Sequence, residues 1–229
     1  MQKLVGILLG VVALLGLGAM DVTAHKAAAI GGIYDDPAVA VELSDPDVSQ
    51  VVYGELPVGR ASLWVAVDVT EPMDLHLTLG VPLLEGLRTF RPQLAVLGPD
   101  LPELDIAVPI PAGLGGLLVI TSRIDDAPTF HEPVTDTKSW LLGEATVRLP
   151  SPGRYYLVAW SASAVSGKAW IAVGTREDFG WADLVGLPQT IRAVRAFHEV
   201  GADPRLLNLS RALYLAGAAL VIACLALVQ

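Results

Sequence analysis

Through the middle of the chain the apolar residues recur with a period of two. In the stretch SLWVAVDVT, Leu63, Val65, Val67 and Val69 alternate with Ser62, Trp64, Ala66, Asp68 and Thr70. In DLHLTL, Leu75, Leu77 and Leu79 alternate with Asp74, His76 and Thr78, and in EATVRL, Ala145, Val147 and Leu149 alternate with Glu144, Thr146 and Arg148. Strict alternation of this kind predicts strands with one face buried and the other in water. Residues 38–43, 93–98, 117–121, 155–160 and 168–174 read as further strands, and Pro/Gly turns such as Pro150–Gly153 and Ser166-Gly167 separate them. With no helical pattern between them, about eight short strands predict a mainly β fold, an antiparallel β-sandwich.

The period changes near the end. Leu187, Ile191, Val194 and His198 recur at helical spacing, which predicts an amphipathic helix over 188–200. Beyond it, Asp203 and Pro204 suit a helix start, and Ala212–Val228 is apolar apart from Tyr214 and Cys224. Such a run rises about 25 Å at 1.5 Å per residue, close to what a membrane span needs. Arg205 and Arg211 can snorkel to the headgroups and Tyr214 can sit in an interfacial belt. Arg192, Arg195, Arg205 and Arg211 outnumber Glu199 and Asp203, so this patch suits a membrane surface or, equally, a helix packed on the sandwich with solvated arginines.

At the other end Lys3, an apolar run from Leu4, and Val22 and Ala24 form the three-part layout of an export signal, with an uncleaved anchor as the alternative. The expected organisation is a signal peptide over 1–24, a flexible mature N-terminus over 25–37 and a β-sandwich domain over 38–176. A linker with the amphipathic helix follows over 177–202, and an anchor helix over 203–229. This places the domain on the extracytoplasmic side of a membrane, with the membrane and another envelope or membrane protein as partners.

SPGRYYLVAWSASAVSGKAWIAVG resembles the closing hairpin of pre-peptidase C-terminal-type β-sandwich domains, in which a Gly turn leads into a Tyr-rich strand and a second Gly turn into the last strand. GRASLWVAVDVTEPMDLHLTL is similar to their earlier strand pair. The resemblance spans 50–174 and departs where those domains show Asp before a Tyr-x-Phe, since Ala61-Ser62-Leu63-Trp64 stands here. It implies a non-catalytic extracytoplasmic accessory module and carries over no catalytic residue.

Composition narrows the chemistry. The formal net charge of -9 and the absence of a basic stripe argue against nucleic acid as a partner. The one cysteine, Cys224, excludes an intramolecular disulfide and a cysteine metal cluster. A cut after Ala24 would leave His25 as an amino-terminal copper chelator, which needs a second imidazole from His76, His131 or His198. Asp45, Asp47, Asp125 and Asp126 offer loop carboxylates for calcium, although turn-forming aspartates explain them as well. No cofactor is otherwise implied.

The segment TFHEPVTDTKSW, residues 129–140, holds the densest chemistry. Pro128 and Pro133 predict an irregular connection, which would present His131, Glu132, Asp136 and Lys138 as a binding loop. A hydrolase built from His131, Ser139 and Asp136 is an alternative, though no nucleophile elbow is present. Trp140, Trp160, Trp170 and Trp181 read as core filling or as a ligand platform. Taken together, the sequence predicts a non-catalytic membrane-tethered binding subunit, with a copper or calcium protein as the rival.

Overall fold

A computed structural model describes residues 25–59, 61–120, 127–161 and 165–201. These form eleven strands and one α-helix rather than about eight strands. The strands are β1 (Lys26–Gly32), β2 (Val41–Leu43), β3 (Gln50–Leu56), β4 (Ser62–Val69), β5 (Met73–Pro82) and β6 (Gln93–Gly98). They continue as β7 (Gly115–Ile120), β8 (Thr129–Glu132), β9 (Thr137–Leu149), β10 (Gly153–Trp160) and β11 (Gly167–Val173), and the helix α1 is Trp181–Phe197.

One sheet has the order β1-β3-β11-β5-β9-β8 and the other β2-β4-β10-β6-β7. The sandwich is not purely antiparallel, because β1 runs parallel to β3 and β2 parallel to β4. Residues 25–37, expected as a flexible terminus, therefore supply an edge strand of the larger sheet. Strands β10 and β11 were expected to form a closing hairpin. They belong to different sheets, so the Ser166-Gly167 turn lies on a crossover between the layers, and Trp160 and Trp170 do not pair.

The two sheets enclose a core that includes Leu63, Val65, Val67, Leu75, Leu77, Leu79, Leu157 and Ile171. These are the inward positions of the alternating stretches, as the period of two requires. The outward positions behave differently. Trp64 and Ala66, expected on a polar face, are 1% and 0% exposed.

Each outer face is covered in part by the protein's own chain. Helix α1 lays Val194 and Phe197 over Val51, Tyr53, Trp170 and Ala172 of the larger sheet. On the smaller sheet Leu104, Ile106, Val108 and Ile110 pack on Trp64, Leu97, Val158 and Trp160. This strap lies outside the strands and bends at Ala107-Val108, with Asp105, Ala107 and Pro109 facing water. Strands buried on two faces read as nearly continuous apolar runs, which is why β3, β4 and β10 contain so few polar residues.

Helix α1 begins seven residues before the expected Pro188. The start is set by Gly180, whose N–H donates to Oδ2 of Asp183 at 2.9 Å, while Pro188 is an interior residue. Among the described residues no helix is long and apolar enough to cross a membrane. Of the two placements open to helix α1, a membrane surface or the sandwich, it takes the sandwich, because its apolar stripe fits the sheet. That corrects the membrane-tethered, extracytoplasmic reading and the membrane or envelope-protein partner drawn from it. Residues 1–24 and 203–229, with Arg205, Arg211 and Tyr214, lie outside the described residues.

Candidate functional site

Residues 129–140 form a hairpin rather than an irregular loop. Strand β8 pairs with the start of β9, Phe130 opposite Ser139, His131 opposite Lys138 and Glu132 opposite Thr137. Pro133 is confined to the turn, where its missing N–H costs no ladder bond. Asp136 takes a positive φ of 51°, a conformation that short polar side chains tolerate in turns.

Because side chains alternate across a strand, His131 and Ser139 face opposite sides of this hairpin. On the exposed side His131 Nε2 lies 2.8 Å from Asp136 Oδ1. The hydrogen bond to His131 holds the Asp136 carboxyl below its ordinary range. Glu132 is partly buried, which pushes its carboxyl up, while its Oε1 accepts from the Val134 N–H at 3.1 Å. The hairpin thus brings His131, Asp136 and Lys138 together on its exposed side, whereas Glu132, opposite Thr137, falls on the other side with Ser139.

On the buried side lies a second constellation. Trp170 Nε1–H donates to Ser139 Oγ at 3.0 Å, and Ser139 Oγ is 3.2 Å from Nε2 of His198. The other ring nitrogen of His198 faces the Val194 carbonyl at 2.9 Å, so Nδ1 carries the proton and Nε2 accepts from the serine. Burial pushes the His198 imidazole below its ordinary value, and Lys168 adds to that, while the Val194 bond opposes it. Serine and histidine are each 3% exposed. The alternative His131–Ser139–Asp136 grouping is not formed: His131 pairs with Asp136, and Ser139 with His198.

Arg195 ties this hairpin to the helix. It was expected at a membrane surface, yet it is buried, and its guanidinium donates to the carbonyls of Thr135 at 2.7 Å and Gly201 at 2.6 Å. Only Arg192, one turn of helix away from that contact, is exposed as expected. Its acid partner is Asp136, whose Oδ2 lies 3.8 Å from Arg195 Nη1. Helical spacing reads both arginines as surface charge, because the backbone carbonyls that bind Arg195 leave no mark in a sequence.

The metal candidates separate. Asp45 Oδ1 accepts from the Asp47 N–H at 3.1 Å and its Oδ2 meets Arg176 Nη2 at 2.6 Å, so turn and ion pair use the carboxylate. Asp125 and Asp126 lie outside the described residues. His25 Nδ1 is 2.6 Å from Ser49 Oγ, and burial together with His76 lowers its pKa. His76 in turn has Nε2 3.9 Å from Glu144. Among the described residues no group of three or more His, Cys, Asp or Glu side chains is placed to hold a metal ion. The copper reading at His25 and the calcium reading at Asp45 and Asp47 are corrected on that ground.

Among the described side chains, Trp140, Trp160 and Trp170 do not make a platform. Trp160 is covered by the strap and Trp170 by α1, while Trp140 is partly buried with the Arg91 guanidinium 5.0 Å from its ring centroid.

An open cleft lies at one end of the sandwich, where β3 ends and β11 begins. Its volume is about 500 Å³, with Leu56, Leu84 and Leu87 on the floor, Val58 at the lip, and Glu55, Lys168 and Glu199 on the rim. Val58 is 67% exposed and Val165, beside the rim, 52%. Lys168 Nζ is engaged by the Phe197 carbonyl at 3.0 Å and Glu199 Oε1 at 2.9 Å. These residues come from four separate segments with no shared spacing, so no local motif marks the cleft; only the apolar Val58 beside Gly59 hints at it.

No family model matches the sequence, and no curated protein matches it. Among solved structures the chain has a weak resemblance to the pre-peptidase C-terminal domain of a collagenase from Bacillus anthracis, with 13% identity over 66% of this chain and 96% of that one and a TM-score of 0.31. It is also similar to CorA, a surface-associated copper-binding protein of Methylomicrobium album BG8, with 10% identity over 66% of this chain and all of that one and a TM-score of 0.29.

Proposed function

We propose that this chain is a non-catalytic ligand-binding domain that takes an apolar group bearing a positive charge at the end cleft. The observation that carries this reading is where apolar surface stays open. Helix and strap cover the apolar parts of the two outer sheet faces, whereas Val58, Leu84 and Leu87 remain accessible around a concavity. A cleft of several hundred Å³ with an apolar floor and a few polar groups suits a small ligand or a short side-chain-bearing segment. On its rim two carboxylates, Glu55 and Glu199, stand against one ammonium, Lys168, which Glu199 already engages. That balance favours a cation over an anion.

The non-catalytic half is supported by the state of the Ser–His pair. A nucleophile must reach its substrate, and Ser139 lies beneath α1 with its hydroxyl engaged on both sides. NMR titration with hexylamine and with hexanoate tests the cleft. Hexylamine is expected to shift the amides of Val58, Leu87 and Gly167, hexanoate to do so less, and Leu87→Arg to abolish the effect. Equal responses to both probes, or shifts confined to another surface, would sink the cleft assignment. Labelling of Ser139 by a serine-directed phosphonate would sink the non-catalytic one.

A further inference from the structure

Strands β3 and β11 run antiparallel where they meet the end cleft, and Glu55 stands directly opposite Lys168. An acid and a base in such positions are favourable neighbours and normally neutralise each other. Here they do not. Lys168 Nζ turns to the end of α1, where it donates to the Phe197 carbonyl at 3.0 Å and to Glu199 Oε1 at 2.9 Å. It also lies 5.4 Å from the centroid of the Phe197 ring. A carboxylate, a carbonyl at a helix C-terminus and a ring face thus hold the ammonium away from its cross-strand neighbour. The other acid beside the cleft is engaged as well, since Glu85 Oε1 lies 3.7 Å from Arg88 Nη1. Among the described residues nothing bonds to or pairs with Glu55, which lines the cleft and is exposed. The hydroxyl of Ser166, two residues before Lys168 in the same lining, likewise has no partner among them.

We infer that Glu55 is the residue that holds the cation, and that the ligand is a protonated primary amine on a short aliphatic chain. This rests on the reading of the cleft as a site for an apolar cation, and it selects one of the two rim acids. Glu199 is spent on Lys168, so it keeps the lysine from Glu55 rather than meeting the ligand itself. A carboxylate and a hydroxyl can both accept hydrogen bonds, and a cation that carries N–H donors uses both. A quaternary ammonium has no such donors and is held by a cage of rings instead. Among the described residues that line the cleft none is aromatic, so that cage is missing. Leu84, Leu87 and Val58 receive the aliphatic chain.

NMR titrations of the full chain with hexylamine, hexan-1-ol and hexyltrimethylammonium test this, because the three probes share one alkyl chain. Glu55 is exposed and unpaired, so Glu55→Gln is expected to keep the fold. It should bind hexylamine about fivefold more weakly, the size of an ion pair at an open site. Its affinity for hexan-1-ol should match that of the unaltered chain. Glu85→Gln removes the same charge from beside the cleft and should cost less than about twofold, since solvent and salt screen it. Hexyltrimethylammonium should bind the unaltered chain about fivefold more weakly than hexylamine, for want of N–H donors. If Glu55→Gln binds hexylamine as the unaltered chain does, or if Glu85→Gln weakens it equally, the Glu55 assignment is overturned while the cleft reading stands. Equal affinity for hexylamine and hexyltrimethylammonium overturns the primary amine as ligand class. Failure of all three probes to perturb the cleft removes the reading and the inference together.

Discussion

Ser139 of β9 and His198, the residue that ends α1, share a hydrogen bond of 3.2 Å although 59 positions separate them in the chain. Their contact lies at the seam where helix and hairpin meet, and it requires a neutral imidazole. Protonating Nε2 would turn the acceptor into a second donor, inside a site where burial already opposes the charge.

That seam makes stability depend on pH in a predictable direction. The folded-state pKa of His198 is depressed, so its contribution is complete above the ordinary histidine value near 6.5 and is lost as pH falls through the folded value. His25 acts with the same sign. The melting temperature is therefore expected to fall between about pH 7.5 and pH 5. The fall should be smaller in His198→Gln, because one of the two titrating sites is gone. Differential scanning calorimetry at several pH values measures this, and an equal fall in both proteins would count against the seam.

Arg195→Met should be among the costlier single changes near the hairpin. The methionine fills most of the volume but leaves the Thr135 and Gly201 carbonyls without their donor. Loss of charge-assisted bonds in a buried setting costs about 2–4 kcal/mol. Urea denaturation gives the total, and hydrogen exchange locates it. Faster exchange should be confined to the turn around Val134–Thr137 and the end of α1. Arg195→Lys should recover only part of the loss, since an ammonium cannot span both carbonyls.

The inward half of the fold was legible from the sequence and the outward half was not, for one physical reason. Alternation reports which residues face the core, and Leu75, Leu77 and Leu79 are all fully buried, while Asp74 is exposed. It does not report what lies over the other face. Trp64 reads as an outward residue and is one, but the strap covers it. The strap itself alternates as a strand does, through Leu104, Ile106, Val108 and Ile110, yet Pro102, Pro109 and Pro111 deny it a ladder. A similar masking hid the start of α1, where an interior Pro188 looked like a first turn. At the hairpin the chemistry-bearing residues are legible, and His131 with Asp136, close in sequence across the turn, is among the groupings the sequence offers. The pairing of Ser139 with His198 is not, because it depends on helix docking, a long-range property.

Gly80 offers a test of the contact between the sheet and α1. A Cβ built there falls inside the Trp170 indole, which lies across the glycine on the helix-covered face. Trp170 cannot move outward without displacing Phe130 and losing its bond to Ser139. Gly80→Ala is therefore expected to destabilise by about 1–3 kcal/mol, the usual range for overpacking. Thermal denaturation reads the loss. A neutral outcome would mean that Trp170 is held more loosely than its neighbours imply.

The strap on the smaller sheet can be tested by how well it shields tryptophan. Ile106 packs with its neighbours over Trp64 and Trp160, which are 1% and 3% exposed. Ile106→Asp places a charge on that apolar face, where desolvation opposes it, and the strap should lift locally rather than bury the carboxylate. Because the strap makes no strand ladder, lifting it breaks few backbone bonds. The expected cost is therefore about 1–3 kcal/mol, that of exposing apolar side chains, and the fold should remain. Acrylamide quenching should rise and the emission of Trp64 and Trp160 should shift to the red, with far-ultraviolet circular dichroism unchanged. Conservative replacement by Ile106→Val should leave quenching at the wild-type level. Loss of the whole sheet signal in Ile106→Asp would show instead that the strap is part of the cooperative core, and unchanged quenching would show that it does not cover these rings.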